Sequence, residues 1–119
     1  MALIPVESLQ YFENMIYLPM VLIVLERDRQ EFEKGSFKLK RPYVNLVEEA
    51  LKIARTELKQ TSIYLRRNNM KVIRGQTDDT FTEYLFLHGG YEERRRYLNV
   101  RLRNRTEELI SIYLAMTGT

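Results

Sequence analysis

Residues Met15–Leu25 read MIYLPMVLIVL, an unbroken apolar run except for its one proline. No other stretch constrains the fold as strongly. It is about half the ~20 residues that a membrane-crossing helix needs. Charge closes it on both sides, with Glu7 and Glu13 before it and Glu26, Arg27, Asp28 and Arg29 after it. The basic start and small-residue cleavage site of a signal peptide are also missing. The run therefore reads as a buried core segment, and no membrane partner is expected. A chain of 119 residues can build a core around it without disulfides or metals. Residues 1–119 are taken as a single domain.

Pro19 divides the run. Leu18, just before it, is biased away from helix. Two helices are expected here, over about 5–17 and 19–34. Pro5 suits the first turn of one, and Gly35 ends the other. The apolar faces are Leu9, Phe12 and Ile16, then Leu18, Val21, Leu22, Leu25 and Phe32. GSFKLKRPY is a basic connection. Asn45, with Glu48 three residues on, reads as the start of a third helix over about 45–68. Its stripe is Val47, Ala50, Leu51, Ala54, Leu58 and Leu65, and Asn68–Asn69 can end it in a left-handed turn.

The period then changes. Met70–Arg74 and Thr80–Leu87 are rich in β-branched and aromatic residues, and Gly75–Asp79 supplies turn chemistry. A β-hairpin over about 70–88 follows. Gly89–Gly90 is read as its end, with a last helix over about 91–116. The expected fold class is mainly α (α+β): a small domain of about four helices, with one β-hairpin inserted before the C-terminal helix.

Little here points to catalysis. With no cysteine and one histidine, His88, thiolate metal sites and cysteine nucleophiles are excluded, and a zinc site would need three carboxylates. The serines Ser8, Ser36, Ser62 and Ser111 lack a nucleophile-elbow context. The glycines match no phosphate loop or dinucleotide spacing. Asp78–Asp79 reads as a tight turn, and Glu48–Glu49 as a helix N-terminus meeting its dipole. The expectation is no enzyme, no cofactor and no metal. The lack of cysteine fits a cytoplasmic location.

Charge is more informative. Residues 1–33 hold six acids against Arg27 and Arg29, a net −4. Residues 55–74 hold six bases against Glu57, a net +5. Such asymmetry marks either an anionic partner or two complementary halves of one fold. The tyrosines interleaved with bases read as boundary residues, ring inward and hydroxyl in water. The segment from Arg94 to Arg105 holds six arginines. On a helix phased at Leu98, Arg96 and Arg103 face outward, and Arg94, Arg95 and Arg101 sit at the margins. Arg105 falls inside the apolar stripe. A buried guanidinium must be paired, so a structural ion pair to Glu13, Glu26 or Glu31 is expected. Ile110 and Leu114 lie on the back of the helix, as a dimer contact would.

The function expected is that of a small non-enzymatic binding protein, a nucleic-acid-associated bacterial or phage regulator. Arg66, Arg67, Lys71, Arg74, Arg96 and Arg103 would contact phosphate. The alternative is a protein-interaction or scaffold domain acting as a homodimer through Ile110 and Leu114.

Overall fold

The structure is a computed structural model and describes residues 4–117. It has three helices and a three-stranded antiparallel sheet, not four helices and one hairpin. The order is α1 (Val6–Lys34), α2 (Arg41–Arg67), β1 (Met70–Thr77), β2 (Phe81–His88), β3 (Tyr91–Leu98) and α3 (Asn99–Met116). The sheet order is β1-β2-β3.

The two N-terminal helices expected on either side of Pro19 are one helix, α1, with Pro19 inside it. An interior proline removes a hydrogen bond and costs about 3 kcal/mol. Phe12, Ile16, Leu18, Val21 and Leu25 are all buried along α1, on both sides of the proline. Each fully buried side chain of this size contributes about 1.5–3 kcal/mol, so burial outweighs the local bias at Leu18. Among the described residues, α1 is the one helix long and apolar enough to cross a membrane. Here those apolar residues supply much of the core.

α2 runs antiparallel to α1. Ser8 Oγ lies 2.9 Å from Tyr64 Oη, and Asn14 Nδ2 donates to Thr61 Oγ1 at 3.3 Å. At the other end, Lys40 Nζ donates to the Glu33 carbonyl at 2.6 Å. The helix begins at Arg41, not Asn45, with Pro42 in its first turn. A proline there gives up an N–H that would have no intrahelical partner.

The largest departure follows Gly89–Gly90. This pair does not end the hairpin. Gly89 (φ 54°) and Gly90 (φ 89°) form a two-residue turn, and His88 pairs directly with Tyr91. Two consecutive positive-φ residues are what a hairpin of the right twist requires. The expected helix over about 91–116 is thus strand β3 followed by α3. The first hairpin turn is held by Asp78, whose Oδ1 accepts from the Thr80 and Phe81 amides at 2.8 and 2.7 Å. These two amide bonds hold its carboxyl below the usual range. Asn99 ties the start of α3 to this turn, donating to the Asp78 carbonyl at 2.8 Å and accepting from Thr82 Oγ1 at 2.7 Å.

Two apolar clusters follow. One joins the inner sheet face (Met70, Tyr84, Phe86) to Phe12, Ile16, Tyr17, Leu65 and Leu102. The Phe12 and Phe86 rings stack at 4.7 Å. The other is helical, with Leu18, Val21 and Leu25 against Val47, Ala50, Leu51, Ala54 and Tyr113. The sheet therefore caps one end of the α1–α2 hairpin, and the 35–40 loop forms the other. The molecule measures 59 × 33 × 18 Å.

Candidate functional site: the open face and end of the sheet

β3 alternates. Glu93, Arg95 and Tyr97 are half-buried, whereas Glu92, Arg94 and Arg96 are exposed. Its register on β2 places Glu93 opposite Phe86, Arg95 opposite Tyr84 and Tyr97 opposite Thr82. These belong to the inner face, because Thr82, Tyr84 and Phe86 are buried. Arg95 Nε donates to Glu93 Oε2 at 2.8 Å, and its guanidinium lies 5.1 Å from the centre of the Phe86 ring. Burial pushes the Tyr97 hydroxyl up to about 12, with the Glu13 charge adding to it.

On the other face of the sheet the edge strands are exposed at Lys71, Ile73, Glu92, Arg94 and Arg96, and the central strand is half-buried at Glu83, Leu85 and Leu87. Across this face, Ile73 stands opposite Leu85 and Lys71 opposite Leu87 on β1–β2. On β2–β3, Leu85 faces Arg94, Leu87 faces Glu92, Glu83 faces Arg96 and Phe81 faces Leu98. The result is an apolar strip with charges of both signs along its edges. Arg96 covers Phe81, its guanidinium 4.2 Å from the ring centre.

The six bases expected to grip phosphate do not form one surface. Arg66, near the end of α2, and Lys71 line a groove of about 830 Å³ with Ser62, His88 and Tyr91. Among the described residues, the buried His88 Nδ1 has no hydrogen-bond partner. Arg67 is exposed next to Arg66 at the end of α2. Arg74 belongs to the inner-face register opposite Tyr84 and donates to Thr77 Oγ1 at 3.2 Å. Arg96 is on the open face of the opposite edge strand. Arg103 is exposed on α3. The pairing of Arg96 with Arg103 held only while both were assigned to one helix.

Arg105 is not inside an apolar stripe. It is exposed and bridges Glu108 Oε1 on its own helix at 2.7 Å, with side chains 43% and 63% exposed. Glu26, an expected partner, instead meets Arg29 at 2.6 Å and Arg55 at 3.4 Å. The core face of α3 is Leu102, Thr106 and Tyr113. The centre of that face is turned by about 60° from the phase set at Leu98. Thr106 is buried without penalty because its hydroxyl donates to the Leu102 carbonyl at 2.7 Å. Tyr113 hydrogen-bonds Glu57, and burial together with that carboxylate raises its pKa. Ile110 and Leu114 pack against the helical cluster.

Missing from the sequence analysis was the open sheet face. Its one local signal was the two-residue Gly-Gly link, which can equally end a hairpin.

Fold and surface together define a small α+β protein, a helical hairpin capped by a three-stranded sheet with one face open. The chain belongs to the YhjD protein family, whose model matches residues 3–118. It is similar to the uncharacterized protein YhjD of Bacillus subtilis (strain 168), 37% identical over 108 residues, spanning 91% of this chain and 90% of that one. No solved structure matches it.

Proposed function

We propose that the protein is a non-enzymatic interaction module that pairs with a second copy of itself through the open face of its sheet. One observation carries this: exposed Ile73 and half-buried Leu85 and Leu87 form an apolar strip in register on the outer side of the sheet. Exposed apolar surface rimmed by polar residues is characteristic of a protein contact. The rim favours a protein over a phosphate backbone. Glu83 stands opposite Arg96, and Glu92 and Arg94 alternate on the same edge. A polyanion selects one sign of charge, whereas a two-fold interface can match each acid to a base of the partner.

Sedimentation equilibrium of the wild type and Leu85→Lys tests it. The wild type is expected as a dimer. Leu85→Lys, a buried charge in the centre of the contact, is expected to weaken pairing by more than about tenfold. A monomeric wild type at high concentration rejects the proposal.

A second function, nucleic-acid association, is favoured by Arg66 and Lys71 sharing one groove with Arg67 beside it. Oligonucleotide binding across a salt series tests it. Binding that weakens in Arg66→Glu and steepens with falling salt supports it, and no binding at low salt removes it.

A further inference from the structure

The loop between α1 and α2 is the end of the molecule remote from the sheet. Of the buried residues in the sheet-facing cluster, Tyr17 is the last on α1. Lys34, where α1 ends, lies about 26 Å further along at 1.5 Å per residue. Every residue from Ser36 to Tyr43 is exposed. Three of them are large and apolar or aromatic: Phe37 is 51% exposed, Leu39 74% and Tyr43 49%. They alternate with cations in KGSFKLKRPY, which carries Lys34, Lys38, Lys40 and Arg41 and no acid. The next acid along the chain is Glu48.

This tip is built rather than frayed. Phe37 lies against Phe32 and Tyr43, with ring centres 5.5 and 5.7 Å away. Its ring also packs over Gly35, where an added Cβ would come within 2.9 Å of it. Lys40 is engaged with the Glu33 carbonyl. Among the described residues, Lys34, Lys38 and Arg41 have no ion-pair partner. The amino end of α2 adds the positive end of its dipole at the same place.

We infer that this tip docks on an anionic lipid surface. A narrow convex turn has too little area for a stable protein contact, which buries about 800 Å² on each partner. A bilayer interface imposes no such requirement. It takes one protruding Leu39 into the acyl boundary, places the Phe37 and Tyr43 rings at headgroup level and meets the cations with lipid phosphate. Phosphate on a soluble polymer would meet the cations but would leave Leu39 in water. The charge of the tip matches an anionic leaflet, and its apolar residues distinguish that leaflet from a soluble polyanion.

Co-sedimentation of the full chain with vesicles tests the inference. Phosphatidylcholine vesicles are compared with vesicles that also contain phosphatidylglycerol. The wild type is expected to sediment only with the second. Leu39→Ser, which keeps the charge, and the double variant Lys34→Glu/Lys38→Glu are each expected to bind at least about tenfold more weakly. All three positions are exposed, so melting temperatures should stay unchanged. Absence of co-sedimentation overturns the inference. So does wild-type binding by Leu39→Ser, which would assign the lysines to a soluble polyanion.

Discussion

Tyr97 and Tyr113 are held neutral by the fold, Tyr97 by burial with the Glu13 charge and Tyr113 by burial with its Glu57 hydrogen bond. A tyrosine whose folded pKa is raised contributes stability that is complete below its unfolded value, about 10, and is lost as pH rises through the folded one. For Tyr97 that window is from about 10 up to about 12. Denaturant titrations in this range should show stability falling with pH, and Tyr97→Phe should flatten the fall. A slope unchanged by that substitution would show that other groups carry the alkaline transition. The arginines lead to a plainer expectation. Arg105 and Glu108 form an exposed pair on one helix, worth about 0–1 kcal/mol. Arg105→Ala should therefore melt within a few degrees of Arg103→Ala. A much larger loss for Arg105→Ala would mean that it has a buried partner after all.

Elements in this chain are decided as much by partners as by local preference. YEERRRYL contains helix-forming residues and acid–base pairs at helical spacing, yet it is a strand. Gly-Gly can stop an element or turn a hairpin, and the nearby sequence does not separate the two. Pairing with β2 does, because it satisfies a full row of backbone groups and half-buries Tyr97. The turn offers a direct check. Nothing lies within 4 Å of a Cβ built on Gly89 or Gly90, so the cost of a side chain there is conformational. Gly90→Ala, at φ 89°, should destabilise by about 1–2 kcal/mol. Gly89→Asn, at φ 54°, should be nearly neutral, because asparagine tolerates the left-handed region. Equal chemical-denaturation midpoints for the two variants would contradict the turn.

Across the whole molecule the two proposed contact surfaces lie apart, with the open sheet face at one end of the helical hairpin and the basic tip at the other. α3 sits between them and packs its Leu109, Ile110 and Leu114 against the helices. Since pairing and folding are linked by mass action, the melting temperature of the wild type should rise with protein concentration. That dependence should vanish in Leu85→Lys. A wild-type melting temperature independent of concentration would place the apolar strip outside any self-contact.

MIYLPMVLIVL had to bury at least one face whatever the topology, and Ile16, Tyr17, Leu18, Val21 and Leu25 are buried while Ile23 and Val24 stay exposed. Asn68–Asn69 and Asp78–Asp79 were legible as a stop and a turn for an equally local reason: Asn69 takes a left-handed φ of 55°, and Asp78 bonds two nearby amides. Continuity through Pro19, the existence of β3 and the true phase of α3 depended on residues far away in the chain. Phe86, Tyr84 and the α1–α2 hairpin supply burial that outweighs a local bias of a few kcal/mol, and no window of neighbouring residues contains them. The division of the arginines has the same origin. Once Tyr91–Leu98 pairs with β2, Arg94 and Arg96 turn to the open face and Arg95 turns inward, while Arg103 and Arg105 stay on a helix that starts only at Asn99.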